Sequence, residues 1–144
     1  MHSVLRSFMK HIEVACAIIE GGGKVLCTQR SESMSLPLKW EFPGGKIIDE
    51  ETPKECLKRE LHEELGLEVT IGAPLPISTY HYPTFSVTLY PFICNIASGE
   101  IILHEHSAMS WLSPEELQNL DWAEADRPVI KEYQKQLVKN SILG

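Results

Sequence analysis

Apolar residues run almost unbroken through EVACAIIE (13–20) and again through KVLCTQR (24–30), with Gly21, Gly22 and Gly23 between them. Two short apolar runs bounded by glycine predict strands joined by a tight turn, a hairpin. SESMSLPL (31–38) has no periodicity and predicts a loop, and KWEF (39–42) predicts a brief strand before Pro43-Gly44-Gly45. The period changes at Thr52. Leu57, Leu61 and Leu65 recur every fourth residue, which places them on one stripe of a helix. Its ends are marked as well. Thr52 with Glu55 forms a capping box, Pro53 suits the first turn, and Gly66 suits the left-handed position past the last turn.

Strand patterns then return in LEVTIG (67–72), in PISTYHY (76–82) and in the alternating TFSVTLY (84–90), which runs on into PFICNIA. SAMSWL (107–112) predicts another strand. SPEELQNL (113–120) predicts a short helix with a second S-x-x-E box, and a last helix follows Asp126 with Val129, Ile130, Tyr133 and Leu137 on one face. Strands mixed with three helices and no long linker predict one α/β domain spanning residues 1–144. A chain of that length buries roughly 70% of its unfolded surface.

Composition narrows the function. Thirteen Lys and Arg against twenty Asp and Glu give a net charge of -7, which argues against polymeric nucleic acid as a partner. An anionic small molecule would need a bound cation or a few local arginines to draw it in. Cys16, Cys27, Cys56 and Cys94 are scattered among apolar neighbours, so they are read as free thiols of a reducing, cytoplasmic protein. No run is long enough to span a membrane. Lys10, His11 and Glu13 break up the apolar stretch that a signal peptide would require. Met9 offers an alternative start, which would leave residues 1–8 as a flexible extension.

The charge that needs explaining lies in RELHEELG (59–66). On a helix Glu60 and Glu64 stack one turn apart, and Glu63 lies within about 60° of Glu60. A solvated acidic face would tolerate this, at about 1 kcal/mol or less per close pair. Half buried, each pair at about 5 Å costs roughly 3 kcal/mol at an effective dielectric near 20, and a divalent cation would offset that. Grouped carboxylate oxygens suit Mg²⁺ or Mn²⁺.

The surroundings decide between these readings. GKIIDEETPKECLKRELHEELGL (45–67) resembles the Nudix box, G-x5-E-x7-R-E-U-x-E-E-x-G-U, at every specified position: Gly45, Glu51, Arg59, Glu60, Leu61, Glu63, Glu64, Gly66 and Leu67. The resemblance to Nudix hydrolases implies an α/β/α sandwich on a mixed sheet and Mg²⁺-dependent hydrolysis of a nucleoside diphosphate linked to another group. It implies Glu60 and Glu64 as chief metal ligands, helped by the Gly45 carbonyl and Glu63, with Arg59 and Glu51 as an ion pair orienting helix and loop. LKWEFPGGK before the box resembles the MutT-type branch, which cleaves nucleoside triphosphates to monophosphate and pyrophosphate.

That branch places a phosphate-contacting arginine at the position of Arg30 and a base-contacting residue at Phe42. Alternatively Arg30 is a solvated strand end and Phe42 is core. LHEHSAMSWLSPEEL (103–117) is similar to bacterial CTP pyrophosphohydrolases, and it puts Glu105 where the family has an extra loop carboxylate. Glu63 or Glu105 is then the general base, with His104 and His106 as neighbours of the site, not ligands. WAEADRPVI (122–130) resembles the start of the last helix, where one polar side chain reads the base. Asp126 is either that reader or simply the helix N-cap. CTP-like nucleotides are the first expectation and 8-oxo-dGTP the second. A non-catalytic nucleotide sensor is a third, although sensors usually carry damaged boxes and this box is intact.

Overall fold

The computed structural model describes residues 9–143, so the expected extension over residues 1–8 lies outside the described residues. β1 (Lys10–Gly21) and β2 (Lys24–Gln29) form the predicted hairpin, with Gly21 opposite Lys24. The two residues left over, Gly22 and Gly23, have φ of 59° and 77°. A two-residue turn between right-twisted strands demands that left-handed pair.

β1 and β2 pair with each other only beside the turn. Beyond it they part, and the chain from Trp40 to Lys46 fills the split. β3 (Trp40–Glu41) joins β2, while β4 (Gly44–Lys46) joins β1. Between them the Ala17 N–H donates to the Pro43 carbonyl at 2.8 Å. The Gly-Gly pair therefore belongs to a strand, where the sequence pattern suggested only a break. Gly44 is needed because a Cβ there would run into the Ala15 backbone.

β5 (Glu68–Pro74), β6 (Ser78–His81), β7 (Phe85–Ser98) and β8 (Ala108–Leu112) complete an eight-stranded sheet. It is mixed: β1 and β7 run parallel along their length and the other pairs are antiparallel. TFSVTLY and PFICNIA are one strand despite Pro91. One edge of β7 pairs with β6 as far as Leu89 and with β5 from Phe92, so the missing N–H of Pro91 falls at the break between partners.

Helix α1 (Pro53–Leu65) has both caps that its sequence announces. Thr52 Oγ1 accepts from the Glu55 N–H at 3.1 Å, Glu55 accepts from the Thr52 N–H at 2.8 Å, and Gly66 takes φ 70°. Its buried Leu57, Leu61 and Leu65 pack on one sheet face with Ala15, Ala17 and Ile19. Cys16 and Ile18 point the other way, to a core made with Phe42, Trp122, Val129 and Tyr133 beneath the last helix, α2 (Arg127–Leu143). Covering both faces is what makes ACAII (15–19) apolar without alternation. The result is the expected α/β/α sandwich. SPEELQNL forms a 3-10 helix over Pro114–Asn119, not an α-helix, and a second 3-10 turn, Glu124–Asp126, leads into α2. Among the described residues no helix is long and apolar enough to cross a membrane.

Candidate active site

α1 presents its acidic edge to β4. Arg59 organises that edge: Nε and Nη2 grip both oxygens of Glu51 at 3.0 and 2.6 Å, and Nη2 also donates to the Lys46 carbonyl at 3.1 Å. The guanidinium holds Glu51 down at about 2, with help from the Ile48 N–H. Nη1 of Arg59 meets Glu60 at 2.8 Å and, less closely, Glu63 at 3.3 Å. Glu60 is mostly buried and Glu63 mostly exposed. Gly45 packs so tightly on the Glu60 carboxylate that a Cβ would overlap it. Helix and loop are thus fastened together by one arginine and one missing side chain.

Glu64 faces away from Arg59. Its Oε2 is buried with no partner among the described residues, and its pKa is raised, first by burial and then by Glu105 and Glu60. Like charges around a partly buried carboxylate with one orphaned oxygen are a repulsion that a bound cation would relieve. The donor set of Glu60, Glu64 and the Gly45 carbonyl is all oxygen and suits a hard divalent ion. Among the described residues no three His, Cys, Asp or Glu side chains stand as a closed set of ligands, and Glu60 is bonded to Arg59. The Gly45 carbonyl lies 3.4 Å from the Cys56 thiol, whose pKa burial pushes up to about 11.

From Gly44 and Gly45 a cleft of about 650 Å³ runs over the sheet to Asp126, past Arg30, Glu41 and Phe42. Ile12, Val14, Val87 and Leu89 form its apolar floor. Lys10 and Lys46 meet at its rim, and Lys10 lowers the pKa of Lys46. Arg30 is not a loose strand end. It donates to Glu41 at 2.8 Å and to the Ser35 carbonyl at 2.6 Å. The Phe42 ring is buried against Trp122, centroids 4.8 Å apart, and the residue also lines the cleft.

Asp126 departs from the helix-cap reading. It does not cap α2 with its side chain; Oδ2 accepts from the Phe42 N–H at 2.9 Å, across 84 residues of sequence. Nor is it an ordinary ionised carboxylate. Burial, reinforced by Glu41, pushes its pKa up to about 8 against the opposing Phe42 N–H.

Glu105 is exposed in the loop before β8, near Glu64. His104 donates only its backbone N–H to the Glu64 carbonyl, at 3.3 Å. His106 turns inward to Glu41 at 2.9 Å. Glu41, Lys46 and Lys10 carry no signal in the sequence, where an acid or lysine on a strand does not show what it faces. Nor does Tyr82, whose oxygen accepts from the Ala125 N–H at 3.0 Å.

A cleft over a mixed sheet, beside a carboxylate-edged helix, gives this α/β sandwich a site of small-molecule size. Comparison with known proteins makes the class specific. The NUDIX domain profile matches residues 9–133. The chain is 38% identical to the CTP pyrophosphohydrolase of Escherichia coli (strain K12) over 87% of its length and 93% of the relative. It is 32% identical to the 8-oxo-dGTP diphosphatase of the same organism, over 85% and 95%. The crystal structure of a MutT protein from Methanosarcina mazei Go1 superposes with a TM-score of 0.81 at 25% identity, over 90% of this chain and 96% of that one. This chain belongs to the Nudix family and is a Nudix hydrolase.

Proposed function

We propose that the chain, a single domain, is a MutT-type pyrophosphohydrolase that converts a (deoxy)nucleoside triphosphate, CTP or dCTP before others, to the monophosphate and pyrophosphate. The observation that carries this is a cleft that begins at Gly45, which packs on the Glu60 carboxylate of α1, and runs past Arg30 and Phe42 to Asp126. The similarity to a CTP pyrophosphohydrolase supports the choice of base.

Glu60, Glu64 and the Gly45 carbonyl would hold the metal, Mg²⁺ first and Mn²⁺ as a substitute, as Nudix hydrolases generally need a divalent ion. When bound, it neutralises phosphate oxygens and acidifies a water. The chain's own residues do the rest. Arg30, held by Glu41 and Ser35, presents its guanidinium to the phosphates, and Lys46 and Lys10 add positive charge at the rim. Phe42 and the floor residues hold the base. Glu105, with Glu63 as the alternative, takes the proton of the attacking water as a P–O bond forms, the anhydride P–O bond breaks and pyrophosphate leaves.

Asp126 reads the base edge. As a carboxylate it accepts only and favours the cytosine N4 amine. Protonated, it can also donate, and then it tolerates a carbonyl. A pKa of about 8 makes the neutral form the major one at neutral pH, and this favours 8-oxo-dGTP as the second reading. A pyrophosphate-release assay over a nucleotide panel tests the proposal. Binding without release would leave a nucleotide sensor.

A further inference from the structure

The loop between β7 and β8 is tied down on both sides of Glu105. Upstream, the Ile102 and His104 N–H groups donate to the Leu65 and Glu64 carbonyls at 3.0 and 3.3 Å, at the end of α1. Downstream, the Ser107 N–H donates to the Gln29 carbonyl at 2.9 Å, where β8 begins to pair with β2. Between these backbone ties the chain makes one side-chain contact across the sheet. His106 Nε2 reaches Glu41 Oε2 at 2.9 Å, spanning 65 residues of sequence. The other oxygen of Glu41 holds Arg30 at 2.8 Å. One carboxylate therefore joins the arginine of the cleft wall to the residue next to Glu105.

The arrangement is costly for packing alone. The His106 side chain is only 5% exposed, and its Nδ1 is buried with no partner among the described residues. A phenylalanine would fill such a space without a dry nitrogen. Facing a carboxylate, Nε2 carries the hydrogen and donates, so the contact is directional and fixes the ring. The backbone that carries the exposed Glu105 is therefore tied on both sides.

We propose that His106 is a positioning residue for Glu105: its bond to Glu41 locks the loop to the Arg30 wall and aims the Glu105 carboxylate at the α1 edge. The proposal rests on the reading of Glu105 as general base, and a double-mutant cycle separates the two. His106→Phe lowers kcat about ten-fold or more with KM for CTP changed less than about two-fold. His106→Gln, which keeps an N–H for Glu41, recovers most of the rate. In the Glu105→Gln background His106→Phe adds less than a two-fold loss, since there is no base left to aim. If Glu105→Gln alone turns over like wild type, the reading of Glu105 falls and this proposal with it. If Glu105→Gln is slow but His106→Phe is as fast as wild type, or its loss multiplies fully onto Glu105→Gln, only the positioning role is overturned. Should His106→Phe fail to fold, His106→Met against His106→Gln gives the same comparison, packing without and with a donor.

Discussion

The two ends of the cleft use carboxylates in opposite ways. Beside α1 three glutamates surround Arg59, which holds Glu51 at about 2 and meets Glu60 and Glu63 directly. At the far end Asp126 stands buried, with only a backbone N–H for a partner, and its pKa rises to about 8. Residues of one chemical kind thus become a charged edge suited to a cation in one place and a neutral acid suited to hydrogen bonding in the other. The difference is desolvation against charge compensation, not sequence. Under the proposed function, the same side-chain chemistry would divide phosphate handling from base reading.

The comparison can be broken most violently at the charged end. EDTA should abolish turnover and Mg²⁺ or Mn²⁺ restore it, measured as pyrophosphate release. Glu64→Gln should remove most activity by losing one oxygen donor for the metal. It should melt no more than slightly below wild type, and even above it, because a buried repulsion is relieved. Near-normal turnover in that variant would sink the metal assignment. Next in size, Glu105→Gln should lower kcat about 100-fold with little change in KM. A loss of only a few-fold would move the base to Glu63.

The neutral end gives smaller and more selective effects. Preference for CTP over UTP should increase as pH rises through about 8, because ionised Asp126 can no longer donate to the uracil carbonyl. Asp126→Asn should cut that preference about ten-fold, measured at pH 9 as the ratio of kcat/KM values, and should flatten its pH dependence. A ratio that ignores both pH and the substitution would return Asp126 to a purely structural anchor for Phe42.

A separate readout is stability. An acid with a folded pKa above its unfolded value binds more protons when folded. Its contribution is present below the unfolded pKa of about 4 and is lost as pH rises to about 8, levelling off above. Chemical denaturation across that window should show a decline in the wild type that Asp126→Asn lessens. Glu51 has the opposite sign. Its depressed pKa gives stability that is present above the unfolded value and lost as pH falls toward about 2, and Glu51→Gln should lessen that acid sensitivity.

What the sequence determined by itself is what short-range geometry controls. Helix α1 was legible from Thr52 to Gly66 because its caps and its leucine stripe are set by contacts three and four residues apart. The Gly22–Gly23 turn was legible because its φ values admit little else. The box carried Arg59 with Glu51, Glu60 and Glu63 for the same reason, since all lie on or next to one helix. Tertiary structure alone decided the rest. Gly44 and Gly45 look like a loop until β1 and β2 part and leave an edge for them to pair with. Pro114–Asn119 has helix signals but settles as 3-10, and the sequence does not distinguish the two. Asp126 bonds to Phe42 across 84 residues, and His106 to Glu41 across 65. Neither partner, nor the burial that neutralises Asp126, has a local cause. Burial and long-range pairing depend on which surfaces the folded chain brings together, and a pattern along the sequence does not contain them.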